Sequence, residues 1–408
     1  PRSTLFPYTT LFRSFGLPWP PDSGFRQRDY FLLRHSARYN TIHLLCLCDA
    51  DRPLPDTAPM QDLCRQIELF PVNLKIDKTI FRSICSRWLA GDPAATAPYF
   101  SIQLFDRIHQ LLLSEKFDIL QIEHSFLAPY RKAVPETFSG KTILALHNIG
   151  AVQYRRMVHL SLPVLRRALF ALKSLLMHNW EVRHASTFDR VVVVSETDAR
   201  WLRQRSPDLP VSVIDNGVDI ERTPCLPVTE AGPNLLFVGS MVYPPNEDAM
   251  LYFSRTIWPL VKKAIPAVQL RIVGHEPSRR LRQLGRDAAI HVMGTAADLA
   301  PFYAQASLVV VPLRAGSGSR LKILEAMAMG RAVVSTSTGC EGLVLEPDVH
   351  LAVADTPVDF FHAIVALMND EQRRLRMADR ARHWVEKRYD WSFLGEQLVS
   401  LYHTMLSE

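Results

Sequence analysis

Cysteine is scarce in this chain of 408 residues. The six are Cys46, Cys48, Cys64, Cys85, Cys225 and Cys340. None forms a C-x-x-C pair, and no Cys/His spacing suits zinc. This excludes a disulfide framework and a zinc ribbon, and fits reduced, mostly buried thiols in a cytoplasmic protein. Long apolar runs are also missing: none reaches the ~18 residues that a membrane span requires. There is no charged-then-apolar leader with a clean small-residue cleavage site. No uniformly basic tract or RNA-binding signature appears, so nucleic acid is not an expected partner. Neither a repeat of roughly 20–50 residues nor a low-complexity tract is present, which excludes solenoids and disordered linkers.

What remains is an ordinary globular composition, 48% apolar and 22% charged, long enough for two domains with substantial cores. The net charge of +6 favours anionic ligands or an anionic membrane surface. Apolar strand-like runs alternate with helical patterns throughout, which implies parallel sheets.

The most informative stretch is Arg314 to Met329, R-A-G-S-G-S-R-L-K-I-L-E-A-M-A-M. It follows Leu308-Val309-Val310-Val311, which reads as a buried strand. Gly316-Ser317-Gly318-Ser319 then forms a small-residue turn, with Ser319 a candidate N-cap. Strand, glycine-rich turn and helix together aim backbone N–H groups at an anion. Arg320 and Lys322 put two cations at the helix start, where the helix dipole disfavours them. A bound phosphate would supply the compensating charge, and Glu325 would be within reach of an attached sugar. Gly330 is a candidate helix stop. Ala332 to Ser335 reads as another strand, and Thr338 to Leu343 as a second small-residue turn. Two such turns at successive strand ends build one crevice.

The pattern Gly318-x-Arg320-x-Lys322-x-x-Glu325-Ala326-Met327-Ala328-x-Gly330-x-x-Val333-Val334, followed by Gly339-x-Glu341-Gly342-Leu343, resembles the donor-site signature of glycosyltransferase family 4. These are retaining enzymes of the GT-B fold, in which two Rossmann-like domains with parallel sheets face across a cleft. The family often carries a first Glu eight positions before the second. That position is Ser317 here, so the resemblance is to a branch without it. The resemblance implies a nucleotide-diphosphate-sugar donor, no cofactor and no catalytic metal, and a glycan or lipid-linked acceptor. It implies a cytoplasmic protein, peripheral at the inner face of the membrane. No D-x-D signature sits near the central motif.

The same resemblance distributes roles along the chain. Gly24, Arg26 and Arg28 lie in a P-P-x-x-G-x-x-x-R loop on the acceptor side, and Glu123 and His124 at a strand end are further acceptor-side candidates. His147, in a His-Asn dipeptide, is the candidate for contacting the donor sugar or assisting acceptor deprotonation. Gly239, Ser240 and Asn246 stand where relatives carry the loop that meets the diphosphate, with Ser240 and Asn246 near the places of an Arg and a Lys. That departure moves the cationic work to Arg320 and Lys322, joined by the turn Gly316–Ser319. Glu325 would accept from ribose hydroxyls, and Glu341-Gly342-Leu343 would offer N–H groups. The turns at Gly274 and Gly294 would recognise the base. Two other classes share such a fold, a nucleotide-sugar epimerase and a noncatalytic sugar-nucleotide-binding protein.

Domain limits follow from composition. Residues 1–14 resemble read-through of a sequencing-library adapter and are expected to be non-native and dispensable. Residues 15–225 form the first domain, 232–385 the donor domain, and 386–408 a helix returning to the first domain. Residues 61–115 read as mostly helical. The stretch 152–183 reads as helical with an interruption near Pro163, and it mixes leucines with Arg166, Arg167 and Lys173. Such a basic amphipathic helix packs on a core or lies on an anionic membrane.

Overall fold

The structure, a computed structural model, describes residues 8–14, 16–73, 99–160, 163–227, 232–316 and 320–408. Ser317, Gly318, Ser319 and Cys85 lie outside the described residues, as does the helix break expected at 91–93. The chain divides into two compact units. One comprises residues 1–154, 171–216 and 391–408, the other residues 155–170 and 217–390.

The first unit carries a seven-stranded parallel sheet in the order β3-β2-β1-β4-β5-β6-β7. Its strands are β1 (Thr9–Ser14), β2 (Thr41–Asp49), β3 (Gln66–Val72), β4 (Ile119–Glu123), β5 (Lys141–Leu146), β6 (Arg190–Val193) and β7 (Val211–Val213). Successive residues feed opposite faces: Leu11, Leu120 and Leu144 join one buried cluster, and Phe12, Ile119 and Ile143 join the other. A strand buried on both faces must be apolar along its whole length, which is why these segments read as continuous runs.

One sequence expectation is corrected here. Gln66–Val72 is a strand inside the stretch read as helical. It pairs with β2 from His43↔Gln66 to Asp49↔Val72. Pairing with a long neighbour decided what local propensity left open. Thr9–Ser14, within the segment expected to be dispensable, is also a strand. It is β1, hydrogen-bonded between β2 and β4.

The second unit has a six-stranded parallel sheet, β10-β9-β8-β11-β12-β13. Its strands are β8 (Asn234–Val238), β9 (Gln269–Val273), β10 (Ile290–Gly294), β11 (Leu308–Val311), β12 (Ala332–Ser335) and β13 (Ala352–Val353). Both sheets reverse direction of winding once, at β1/β4 and at β8/β11. A doubly wound sheet opens its ligand crevice at the carboxyl ends of the strands flanking that reversal.

The boundary between units falls at Asn216/Gly217, earlier than composition suggested. The reason is local. Val218 is buried, its N–H donates to Tyr389 O, and it forms a bridge with Asp390. The chain is thus tied to the second unit from Val218 onward. The last helix, Trp391–Ser407, belongs with the first unit. Trp391 stacks on Phe31, and Gly395 lies against His35, where a Cβ would come within 2.3 Å of His35 Cγ.

Candidate active site

In the second unit, β8 ends in Gly239-Ser240 and β11 leads to the Gly316 turn and the helix Leu321–Ala328. Lys322 donates its ammonium to Asn246 Oδ1 at 2.7 Å, and Asn246 Nδ2 donates to Ser240 O at 2.8 Å. The Lys322 Nζ sits 4.3 Å from the Phe237 ring centroid. Gly239 makes room for this head group, since a Cβ there would meet Lys322 Nζ at 2.7 Å. Gly274 backs the same turn, because its ideal Cβ would fall 1.9 Å from Gly239 O. Burial first, and the neighbouring Arg320 second, bring the Lys322 pKa down to about 7, against the opposing pull of Glu325.

Arg320 precedes the helix. It is buried, and its Nη2 donates to Thr338 O at 3.2 Å. Gly316 adopts φ +127, and a Cβ there would lie 2.8 Å from Arg320 Nη1. Arg320 therefore braces the two small-residue turns against each other, a role that the sequence reading did not assign. Glu325 is half-buried on the helix, and its charge adds to burial in pushing the Tyr303 phenol up. Gly330, at φ +72, closes the helix: its N–H reaches Met327 O and that of Arg331 reaches Ala326 O, the expected C-terminal motif. Glu341 does not stand open to a ligand. Arg156 holds its carboxylate with both terminal nitrogens and also donates to Gly316 O at 2.7 Å. Gly342 has φ +83, and Leu343 N donates to Cys340 O, so this N–H is spent within the turn.

In the first unit, β4 delivers Glu123 and His124, and β5 delivers His147. His147 Nε2 lies 2.8 Å from Glu123 Oε2 and 3.2 Å from Asp29 Oδ1. Asp29 in turn accepts from Ser14 Oγ at 2.5 Å, and Glu123 accepts from Gln121 Nε2 at 2.5 Å. His124, at φ 68, stacks on Phe126 and lies 3.9 Å, centroid to centroid, from His147. Asp29, His124 and His147 bring one potential ligand atom each within 4.8 Å of one another, an arrangement that could hold a metal ion. Arg28 is buried, and its Nη1 donates to Asp215 O and to Asn216 Oδ1, both at 2.9 Å, so it ties the helix to Asp215 and Asn216. Arg26 pairs with Asp22 at 2.9 Å, and Gly24 opens the helix Gly24–Ser36.

Residues 77–222 match the family model described as Glycosyltransferase Family 4, and residues 232–370 match the one described as Glycosyl transferases group 1. The chain belongs to glycosyltransferase family 4. It is a glycosyltransferase of the GT-B fold. Among solved structures it is similar to sucrose-phosphate synthase from Thermosynechococcus elongatus, at TM-score 0.72 and 15% identity, covering 98% of this chain and 99% of that one. It is also similar to Anabaena HepE in complex with UDP and glucose, at TM-score 0.66 and 15% identity, covering 96% and 98%. An uncharacterized 44.6 kDa protein in the cps region of Klebsiella pneumoniae is 23% identical over 70% of this chain and 74% of its own length. A phosphatidyl-myo-inositol mannosyltransferase of Mycobacterium tuberculosis is 29% identical over 52% of this chain and 59% of its own length. The match thus spans little more than half of the mycobacterial enzyme.

Three residues of these clusters were missed in the sequence. Asp29 sits inside a helix, one residue past the end of the P-P-x-x-G-x-x-x-R pattern. Arg156 is one of several arginines in an unremarkable helical stretch. Glu181 is buried and accepts from Gly150 N at 2.8 Å and Ala151 N at 3.0 Å, pinning the helix that follows His147-Asn148. Burial raises its pKa to about 7 against those two donors.

The His147 cluster gives a test. Burial pulls the imidazole pKa down, but Asp29 and Glu123 outweigh it and hold His147 above the ordinary histidine value. A raised folded pKa means that the native state binds the proton more tightly than the unfolded state. This stabilisation is complete below the ordinary histidine pKa and is lost as pH rises through the raised value. The melting-temperature gap between wild type and His147→Gln is therefore expected to be widest in mild acid and to narrow above neutrality. A gap that stays constant across that range would mean that His147 is neutral in the native protein.

Proposed function

We propose that this glycosyltransferase moves a sugar, with retention at the anomeric carbon, from a nucleotide-diphosphate sugar to a hydroxyl of a glycan or lipid-linked acceptor. The work would be done at the inner face of a membrane. The observation that carries this reading is the Lys322 ammonium in its cradle of Gly239, Asn246 and Ser240, with Glu325 one turn further along the same helix. A compact, partly desolvated ammonium of pKa about 7 is suited to a diphosphate, which restores its full charge as it binds. As the leaving group gathers negative charge, Lys322 stabilises it. Glu325, beside it, accepts from the ribose hydroxyls. His147, oriented by Asp29 and Glu123, would hydrogen-bond the sugar or assist acceptor deprotonation.

The printed names of similar proteins support the donor class. HepE has a structure with UDP-glucose, and a Corynebacterium glutamicum relative is named as GDP-mannose-dependent. The test is a melting-temperature screen against UDP, GDP, ADP and their sugars, followed by measurement of nucleoside-diphosphate release with the sugar that stabilises most. Stabilisation without turnover in the presence of an acceptor extract would leave a binding protein. Inversion at C2 of free donor would leave an epimerase.

Transfer is expected to need no added metal, because the cations of the turn do the electrostatic work. Activity should survive a chelator. Its abolition by chelator and recovery with a divalent ion would overturn this and point to Asp29, His124 and His147.

A further inference from the structure

Strand β4 is buried along its whole length, yet it carries two polar side chains, Gln121 and Glu123. Two residues apart, they face the same side of the sheet as Ile119. On that side lies an apolar cluster that includes Ile119, Ile143 and, from the last helix, Leu398 and Tyr402. Polar groups in such a place cost stability unless each finds a partner. Here each does. Tyr402 Oη donates to Gln121 Oε1 at 2.5 Å, and Gln121 Nε2 donates to Glu123 Oε1 at 2.5 Å. Glu123 Oε2 then meets His147 Nε2 at 2.8 Å. All four residues belong to the first unit.

Chemistry sets the direction of each bond. An ionised carboxylate only accepts, so the Gln121 amide must turn its NH2 to Glu123 and its carbonyl away. The Tyr402 hydroxyl, donating to that carbonyl, holds the amide this way round. At the far end two carboxylates share one ring nitrogen, for Asp29 Oδ1 lies 3.2 Å from the same Nε2. Nε2 therefore carries a proton, and Nδ1 is the nitrogen left for a substrate hydroxyl. Replacing hydrogen-bonded partners by apolar groups of the same shape is nearly neutral for stability. Stability alone thus does not account for this buried row, whereas its end at His147 does.

We infer that Tyr402 and Gln121 are positioning residues: they hold Glu123 so that it fixes the Nε2 proton of His147 and leaves Nδ1 for the substrate. This deepens the reading above and rests on it for the contact between His147 and substrate.

The experiment measures nucleoside-diphosphate release by wild type, Tyr402→Phe, Gln121→Met, His147→Gln and the double variant Tyr402→Phe with His147→Gln. Histidine ring protons are recorded by NMR on the same proteins without substrate. Tyr402→Phe should lower kcat by about two- to tenfold, the worth of one hydrogen bond, with the donor KM unchanged. Gln121→Met strips a partner from both neighbours and should lower kcat further. In the His147→Gln background the Tyr402 substitution should add nothing, because it acts through the imidazole. The Nε2 proton of His147, assigned by its loss in His147→Gln, should shift in Tyr402→Phe although two side chains separate the phenol from the ring. A loss that persists in the His147→Gln background, a raised donor KM at unchanged kcat, or an unshifted His147 proton would each overturn the inference. If wild type releases no nucleoside diphosphate, the function proposed above fails, and the proton shift alone decides whether Tyr402 and Gln121 hold the imidazole.

Discussion

Replacing Lys322 with alanine is expected to lower turnover of the nucleotide sugar by one to two orders of magnitude. The argument is local. Lys322 is anchored by Asn246 and faces the gap left by Gly239, so its removal takes a charge from the position where a diphosphate would sit. Hydrogen bonds to charged groups are worth about 1.5–3 kcal/mol, which corresponds to roughly a ten- to hundredfold loss in rate. Glu325→Gln keeps the shape and should mainly raise the donor KM. Because the ammonium pKa is about 7 before the donor binds, donor affinity should fall as pH rises above that value, and binding there should take up a proton. Lys322→Ala should lose this pH dependence. The stability sign is the reverse of that at His147. A depressed lysine pKa means that the unfolded chain binds more protons between about 7 and the ordinary lysine value, so the native state gains stability as pH rises through that window. Donor kinetics and calorimetry in buffers of different ionisation heat check all of this. Wild-type kinetics in both Lys322→Ala and Glu325→Gln would remove the donor site from this helix.

The second large effect is expected from deleting everything before Phe15. The deletion removes β1, which hydrogen-bonds to β2 on one side and β4 on the other. Leu11 is fully buried on one face and Phe12 nearly so on the other. Each such side chain is worth about 1.5–3 kcal/mol of burial, and the ladder bonds on both edges go with them. Against a typical domain stability of about 5–15 kcal/mol, this is enough to unfold the first unit. Ser14 also leaves, and with it the hydrogen bond that steadies Asp29 beside His147. The expected product is insoluble, or lacks a cooperative melting transition for one unit. A truncated chain that melts like the full one would show that the strand contributes nothing. The local sequence of residues 1–14 carries no information about which strands flank them in a sheet.

The donor motif was legible because its chemistry is compressed into one strand, one turn and one helix. Within that span local rules hold. Gly330 stops the helix with the expected pair of hydrogen bonds, and β11 and β12 pair in parallel as consecutive buried runs should. His147 and Glu123 were each visible as residues at strand ends. That Asp29 joins them was not, because it sits mid-helix and arrives through the pairing of β1 with β4. Arg28, one residue away, looked like an exposed ligand and proved to be a buried tie to Asn216, since helix phase turns neighbours in different directions.

By itself the sequence determined the fold class, the two-unit plan and the span that carries the family signature. These follow from the periodicity of apolar residues and from glycine spacing, which are local properties of the chain. Only the tertiary structure decided which cation is poised and which is a brace. Lys322 and Arg320 are two residues apart and chemically alike in the sequence. One sits in the gap left by Gly239 and the other reaches Thr338 O, because what a side chain meets depends on strands that the chain returns to much later. The same holds for the aliphatic face of Val164–Ala185. Its periodicity marks an amphipathic helix, but only the burial of Met177 and Trp180 shows that the leucines point outward.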